Sequence, residues 1–123
     1  MTQLEESEQI AIMQWAELAR GKYPALKWLH HIPNGGQRSK ATAARLKAAG
    51  VKSGVPDLCL PYPCGDYHGL YIELKVGRNK PSASQNAWLA YLDGAGYCVR
   101  VCWGADEAIS EITKYLNGQK KGA

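Results

Sequence analysis

The chain predicts an α/β fold, and three observations carry that reading. LYIELKV at residues 70–76 alternates apolar and polar side chains as a half-buried strand does, and YCVRVCW at 97–103 does the same. Around these runs, apolar residues recur at helical spacing over 3–19 and 105–116. Ser82 followed by Gln85 is the sequence signature of a helix cap. The 123 residues, 46% hydrophobic, suffice for one domain with a modest core and leave no room for a separate recognition domain.

Residues 3 to 19 read as the first helix, with Leu4, Ala11, Ile12, Trp15, Leu18 and Ala19 forming its inward stripe. Glu8 falls on or beside that stripe, where it either tilts out to water or is aimed into a site, whereas Glu5 and Glu17 are expected in solvent. Gly21 to Pro24 ends the helix. Residues 27 to 32 then read as an edge strand, with helix as the alternative, before the Pro-Asn-Gly-Gly turn at Pro33 to Gly36. That turn is either an ordinary one or a loop whose amides approach a phosphate. From Arg38 to Ala49 the composition is helical, giving a thin basic helix laid over the sheet, exposed to solvent or to a phosphate backbone, and stopped at Gly50. Asp57 opens a short apolar strand, DLCL, and PYPCGDYHG loops to the strand of residues 70–76. There Leu70, Ile72, Leu74 and Val76 point one way, and Tyr71, Glu73 and Lys75 the other. The capped helix from Ser82 runs to Gly94 and Gly96, the strand YCVRVCW follows, and a last helix turns Ala105, Ala108, Ile109, Ile112 and Leu116 inward.

The formal charge of +4 is less informative than its distribution. Between Leu18 and Pro56 there is no acidic residue, yet Arg20, Lys22, Lys27, Arg38, Lys40, Arg45, Lys47 and Lys52 lie there, eight of the 15 basic residues. A nucleic-acid-facing surface is the natural use of such a region, with Arg38, Lys40, Arg45, Lys47 and Lys52 as its phosphate-binding candidates. Arg78 and Lys80, just after Lys75, extend the set. No apolar run approaches membrane length and the amino terminus is too polar for a signal peptide, so a cytoplasmic protein with no membrane partner is expected. The spacings of Cys59, Cys64, Cys98 and Cys102 fit neither a zinc ribbon nor a redox CxxC, which favours free thiols.

One constellation stands apart from both core and solvated surface. If the runs beginning at Asp57 and at Leu70 pair as neighbouring strands, Asp57 and Glu73 together hold one divalent metal with Lys75 beside it. Hard carboxylate oxygens suit Mg2+ or Mn2+, and the carbonyl of Leu74 adds a ligand if that edge is open. Lys75 is then positive where negative charge develops during phosphodiester hydrolysis. The competing account is a surface strand with an i,i+2 charge pair and an unrelated turn aspartate.

GVPD at 54–57 followed by IELK at 72–75 resembles the bipartite metal motif of the PD-(D/E)xK nuclease superfamily. More narrowly, IPNGG at 32–36, GVPDL at 54–58, GLYIELK at 69–75, Ser82-x-x-Gln85 and Gly96-Tyr97-x-Val99 resemble the stand-alone VRR-NUC domains of phages and bacteria. The resemblance implies a restriction-endonuclease-like core, a mixed sheet flanked by helices, spanning residues 1–123 as a single nuclease domain. It makes Asp57, Glu73 and Lys75 the catalytic and metal positions, with Glu8 as the acidic residue added from a helix. Gln85 becomes, as well as a cap, a glutamine that orients Lys75 or a phosphate. It further implies a Mg2+- or Mn2+-dependent DNA endonuclease acting on branched or junction DNA as a homodimer, in a bacterial cell or phage-infected host. A nonselective or restriction-type nuclease and a noncatalytic DNA-binding protein of the same fold are the alternatives.

Overall fold

The computed structural model describes residues 2–33 and 39–118. Arg38 and most of the Pro-Asn-Gly-Gly turn lie outside the described residues. Four helices and four strands follow the order α1 (Gln3–Ala19), β1 (His30–His31), α2 (Lys40–Ala48), β2 (Leu58–Leu60), β3 (Leu70–Lys75), α3 (Ala83–Gly94), β4 (Cys98–Trp103) and α4 (Ala105–Leu116). The strands form one mixed sheet in the order β1-β2-β3-β4. β1 with β2 and β2 with β3 are antiparallel; β3 and β4 are parallel, and α3 supplies the crossover that a parallel pair requires.

β3 is the central element. Leu70, Ile72 and Leu74 are buried on one face beside Cys98 and Cys102 of β4, and this face joins Ile12 and Ala16 of α1 with Ala108, Ile112 and Tyr115 of α4 in one apolar cluster. The opposite face carries Tyr71, Glu73 and Lys75, in register with Val99, Val101 and Trp103. A strand covered on both faces reads as apolar on both, so a Glu and a Lys on the second face need a reason. Tyr115 ties α4 to the loop after β2, its hydroxyl donating to the Tyr62 carbonyl at 2.5 Å.

Local chemistry sets the helix ends. Thr2 and Glu5 form a reciprocal capping box on α1, and Ser82 and Gln85 form another on α3, as the Ser-x-x-Gln spacing predicts. In α4, Tyr115 is buried in place of Ile109 and Leu116, which are half-covered.

Three expectations are corrected. In α1, Leu4 and Leu18 are 70% and 88% exposed, while Glu5 is 8% exposed. The buried positions are Glu5, Ile12 and Ala16, a helical face rotated from the one that the large apolar residues suggest. Residues 27 to 32 are not a continuous strand: Pro24–Trp28 is a 3₁₀ turn and only His30–His31 are extended. Proline at the first position fixes the helical φ, and Leu26 and Leu29, three apart, are both buried by that turn. Finally, α2 buries no residue and therefore covers little of the sheet; only Thr42 and Leu46 are half-covered. The four cysteines are free thiols, and burial pushes those of Cys59, Cys98 and Cys102 upward in pKa, which keeps them protonated.

Candidate active site

The site is built by strand register. Continuing the β2–β3 pairing one residue beyond Leu58↔Ile72 sets Asp57 directly across from Glu73 on one face of the sheet. β1 holds Asp57 from the other side: its backbone carbonyl accepts from Ile32 N at 2.8 Å and from His31 Nδ1 at 2.8 Å, so the His31 ring carries its proton on Nδ1. The two histidines of β1 thus sit in a strand whose job is to fix the end of β2. Asp57 is 7% exposed and Glu73 1%.

The next step of the same register sets Pro56 across from Leu74. At the two ends of the β3–β4 ladder, Gly69 O accepts from Cys98 N and Lys75 O accepts from Gly104 N. Peptide groups of the odd-numbered residues of β3 therefore face β4, and those of Leu70, Ile72 and Leu74 face β2. Leu74 N donates to Asp57 Oδ2 at 2.7 Å, a side chain substituting for a ladder acceptor. The Leu74 carbonyl faces proline, which has no N–H to offer. The Pro-Asp pair thereby does two things: the aspartate accepts from the Leu74 N–H, and the proline withholds the ladder N–H that would otherwise meet the Leu74 carbonyl.

Glu73 is the most perturbed group. Burial, reinforced by the neighbouring Asp57 carboxylate, raises its pKa from 4.5 to about 9; Lys75 opposes the shift and Glu5 adds to it. One oxygen, Oε2, lies 3.8 Å from Lys75 Nζ and accepts from Gln85 Nε2 at 3.4 Å. The other, Oε1, is buried with no partner among the described residues. Gln85 takes its expected cap role, its Oε1 accepting from Ser82 N at 2.8 Å at the start of α3, while its amide reaches Glu73. The orienting contact is to Glu73 and not to Lys75. A buried carboxylate with one oxygen unpartnered among the described residues, opposite a second carboxylate and beside the Leu74 carbonyl that faces proline, is an arrangement of hard oxygen donors that fits a divalent cation. The set is small: no group of three or more His, Cys, Asp or Glu residues placed to hold a metal occurs among the described residues.

The structure does not bring Glu8 to this pair. Its Oε1 accepts from Ala105 N at 3.2 Å, at the first turn of α4. Gly104, the residue before that helix, has φ 91° and no side chain to act as a cap, and a Cβ there would lie 3.1 Å from Glu8 Oε1. A carboxylate from α1 fills the capping role instead, where the helix dipole favours it. The α1 carboxylate whose charge reaches Glu73 is Glu5. Sequence reasoning missed it, although the Thr2-x-x-Glu5 cap was legible and turns that side chain back over the helix start.

The VRR-NUC domain family profile matches residues 3–106. The chain belongs to the VRR-NUC domain family. A solved structure described as a VRR_NUC domain protein is 33% identical, superposes with a TM-score of 0.80, and is matched over 98% of this chain and 93% of its own. No curated protein matches the chain at a significant level. The match assigns this VRR-NUC domain an α/β fold of nuclease type, in the PD-(D/E)xK superfamily, with its mixed sheet flanked by helices.

Around the VRR-NUC site the basic residues divide by partner. Arg20 pairs with Glu17, while Lys22 and Lys27 lie over the rings of Tyr23 and Trp28. Lys40, Arg45, Lys47, Lys52, Arg78 and Lys80 are exposed and form no ion pair among the described residues. Arg38 lies outside those residues. Two further groups escaped the sequence reading. Gln9 Oε1, one turn along α1 from Glu5, is buried without a partner among the described residues, and Gly54, with φ 90°, packs so closely on α3 that a Cβ would lie 2.7 Å from the Ser84 backbone. An acid-plus-glutamine spacing on the first helix points to the former; the Gly before Val-Pro-Asp points to the latter.

Proposed function

We propose that this VRR-NUC domain is a metal-dependent DNA endonuclease that hydrolyses phosphodiester bonds at branched or junction DNA. The observation that carries the reading is the buried Glu73, its Oε1 bare, set across from Asp57 with Lys75 3.8 Å from the other oxygen. Asp57, Glu73 and the Leu74 carbonyl are the groups that would hold Mg2+ or Mn2+. When bound there, such a cation supplies Lewis-acid polarisation of the phosphoryl oxygens and an acidified water.

The chain's own residues do the rest. Lys75 keeps a positive charge against the scissile phosphate as negative charge builds on it, and its ammonium orients the attacking water. Gln85 fixes the rotamer of Glu73, so the carboxylate is placed before DNA arrives. His31 and Ile32 do the same for Asp57 by anchoring its backbone. The exposed cations of α2 and of the turn after β3 neutralise phosphates on either side of the cut. Contacts of that kind read backbone and shape, which suits selection of a branch over a base sequence. A second protomer would present a symmetric site for a second strand, so the working form is proposed as a homodimer.

The test is to incubate the protein with labelled four-way junction, flap, duplex and single-stranded DNA in Mg2+, Mn2+ and chelator, alongside Asp57→Ala and Lys75→Met. Metal-dependent cutting of the branched substrates is expected, reduced about 10²- to 10³-fold or more in the folded Lys75→Met variant, as removal of one transition-state charge partner does. Tight binding with no cutting in either metal would move the assignment to a noncatalytic DNA-binding protein. Equal cutting of duplex and junction would remove the branch selectivity. A solution mass of one chain under cutting conditions would remove the dimer.

A further inference from the structure

Trp103 closes β4 and has Lys75 as its partner across the parallel ladder, so the indole and the ammonium leave the sheet on the same face from adjacent strands. The indole N–H donates to the Asn79 carbonyl at 2.7 Å, yet 39% of the residue's surface stays open. A tryptophan that exposes this much apolar area has its one polar atom satisfied by protein, so neither packing nor hydrogen bonding accounts for the uncovered part of the ring. Its anchor is the turn that carries Arg78 and Lys80, both exposed and without ion pairs among the described residues. A hydrogen-bonded aromatic ring thus has Lys75 as its ladder partner and is anchored to a turn that carries two more cations. That combination suits a nucleotide: phosphates to the cations, base to the ring.

We infer that Trp103 is a stacking platform for the base of a nucleotide adjoining the scissile phosphate. This rests on the nuclease reading of the site and deepens it by naming what the site selects. In an uninterrupted duplex both faces of every base are covered by neighbours, so no base is free to meet the ring. At a branch point, flap or gap one nucleotide is unstacked and can. Trp103 therefore converts the presence of an interrupted stack into affinity beside the reacting phosphate, without reading which base it is.

The experiment measures binding in chelator, where no cutting occurs, to flap DNA in which each of the three nucleotides nearest the branch is replaced in turn by an abasic site. The wild-type protein is expected to lose about tenfold in affinity at one of these positions, the scale of one base–aromatic stack. Trp103→Leu is expected to bind the intact flap about tenfold more weakly and to be indifferent to the abasic site, while Trp103→Tyr restores the discrimination. Equal wild-type affinity for intact and abasic DNA at all three positions would overturn the inference. Discrimination that survives unchanged in Trp103→Leu would overturn it as well. If Trp103→Leu proves unfolded by circular dichroism, the wild-type abasic series together with Trp103→Tyr decides. Cleavage by the wild type in Mn2+ is scored separately: its absence bears on the nuclease assignment, while the abasic series bears on the stack.

Discussion

Replacing Glu73 by Gln should make the metal-free protein more stable, although it destroys the site. In the fold, burial and Asp57 raise the Glu73 pKa from 4.5 to about 9, so at pH 7 the folded chain holds a proton there that the unfolded chain has released. Neutral pH lies about two and a half pH units above the ordinary value, and at 1.36 kcal/mol per unit the penalty is about 3 kcal/mol. The penalty vanishes below about pH 4.5, where both states are protonated, and grows with pH until the folded group ionises near 9. A glutamine has no proton to take up and never meets it. For a chain of this size a stabilisation of about 3 kcal/mol raises Tm by roughly 10 °C. The assay is thermal unfolding by circular dichroism in chelator at pH 4.5, 7 and 9. Glu73→Gln should melt with the wild type at the lowest pH and progressively above it at the others. Added Mg2+ or Mn2+ should reverse the order, since only the wild type retains the ligand that gains from binding. A variant that melts at or below the wild type at pH 7 in chelator would refute the reasoning.

Three other outcomes follow from the geometry. Pro56→Ala gives the Leu74 carbonyl an N–H partner across the strand, and should weaken Mn2+ binding by about tenfold in titration calorimetry while the fold persists. Gly54→Ala forces a Cβ to 2.7 Å from the Ser84 backbone at φ 90°, and should cost at least about 2 kcal/mol in urea unfolding, with loss of the α3 docking that carries Gln85. Changing Arg45 and Lys47 together to Gln should leave stability within about 0.5 kcal/mol. The same pair should flatten the slope of log K against log salt for duplex binding by about 2, near 0.9 for each phosphate no longer neutralised; an unchanged slope would remove α2 from the DNA path.

What could be read from the sequence was local. The alternation in β3 and β4, the Ser82–Gln85 cap and the extent of α4 each follow from side chains within a few residues of one another and were found where expected, although α4 buries Tyr115 in place of Ile109 and Leu116. The face of α1 was not legible, because large apolar residues lie on several sides of that helix and only packing against α4 and the sheet decides which is covered. Leu4 and Leu18 looked like core and are solvent-exposed; Glu5 looked solvated and is buried. Nor does any local pattern tell which α1 carboxylate serves which neighbour: Glu8 accepts from Ala105 N, and the charge of Glu5 reaches Glu73. The 3₁₀ turn was hidden because LKWLHHI is apolar enough for a strand, though Pro24 with Leu26 and Leu29 at a spacing of three carries its signature. Asp57 and Glu73 were recognised by type, but their juxtaposition depends on a strand register set 16 residues apart in the chain, and no local pattern encodes that. The bare oxygens of Glu73 and Gln9 are likewise properties of the packed state alone.

Both faces of β3 are covered, one filled with leucine and isoleucine and the other carrying the half-buried Tyr71 and the buried Glu73 and Lys75. Because side chains alternate with a period of two, adding or deleting a single residue within these six would exchange the faces, driving Glu73 and Lys75 into the hydrocarbon interior and the leucines onto the face of Asp57. The strand is therefore closed to changes of length and open only to replacement of one side chain by another of the same kind. Variation in length has to enter at the strand's two ends, through the loop at 61–69 and the turn at 76–82, where an extra residue alters reach without inverting the sheet.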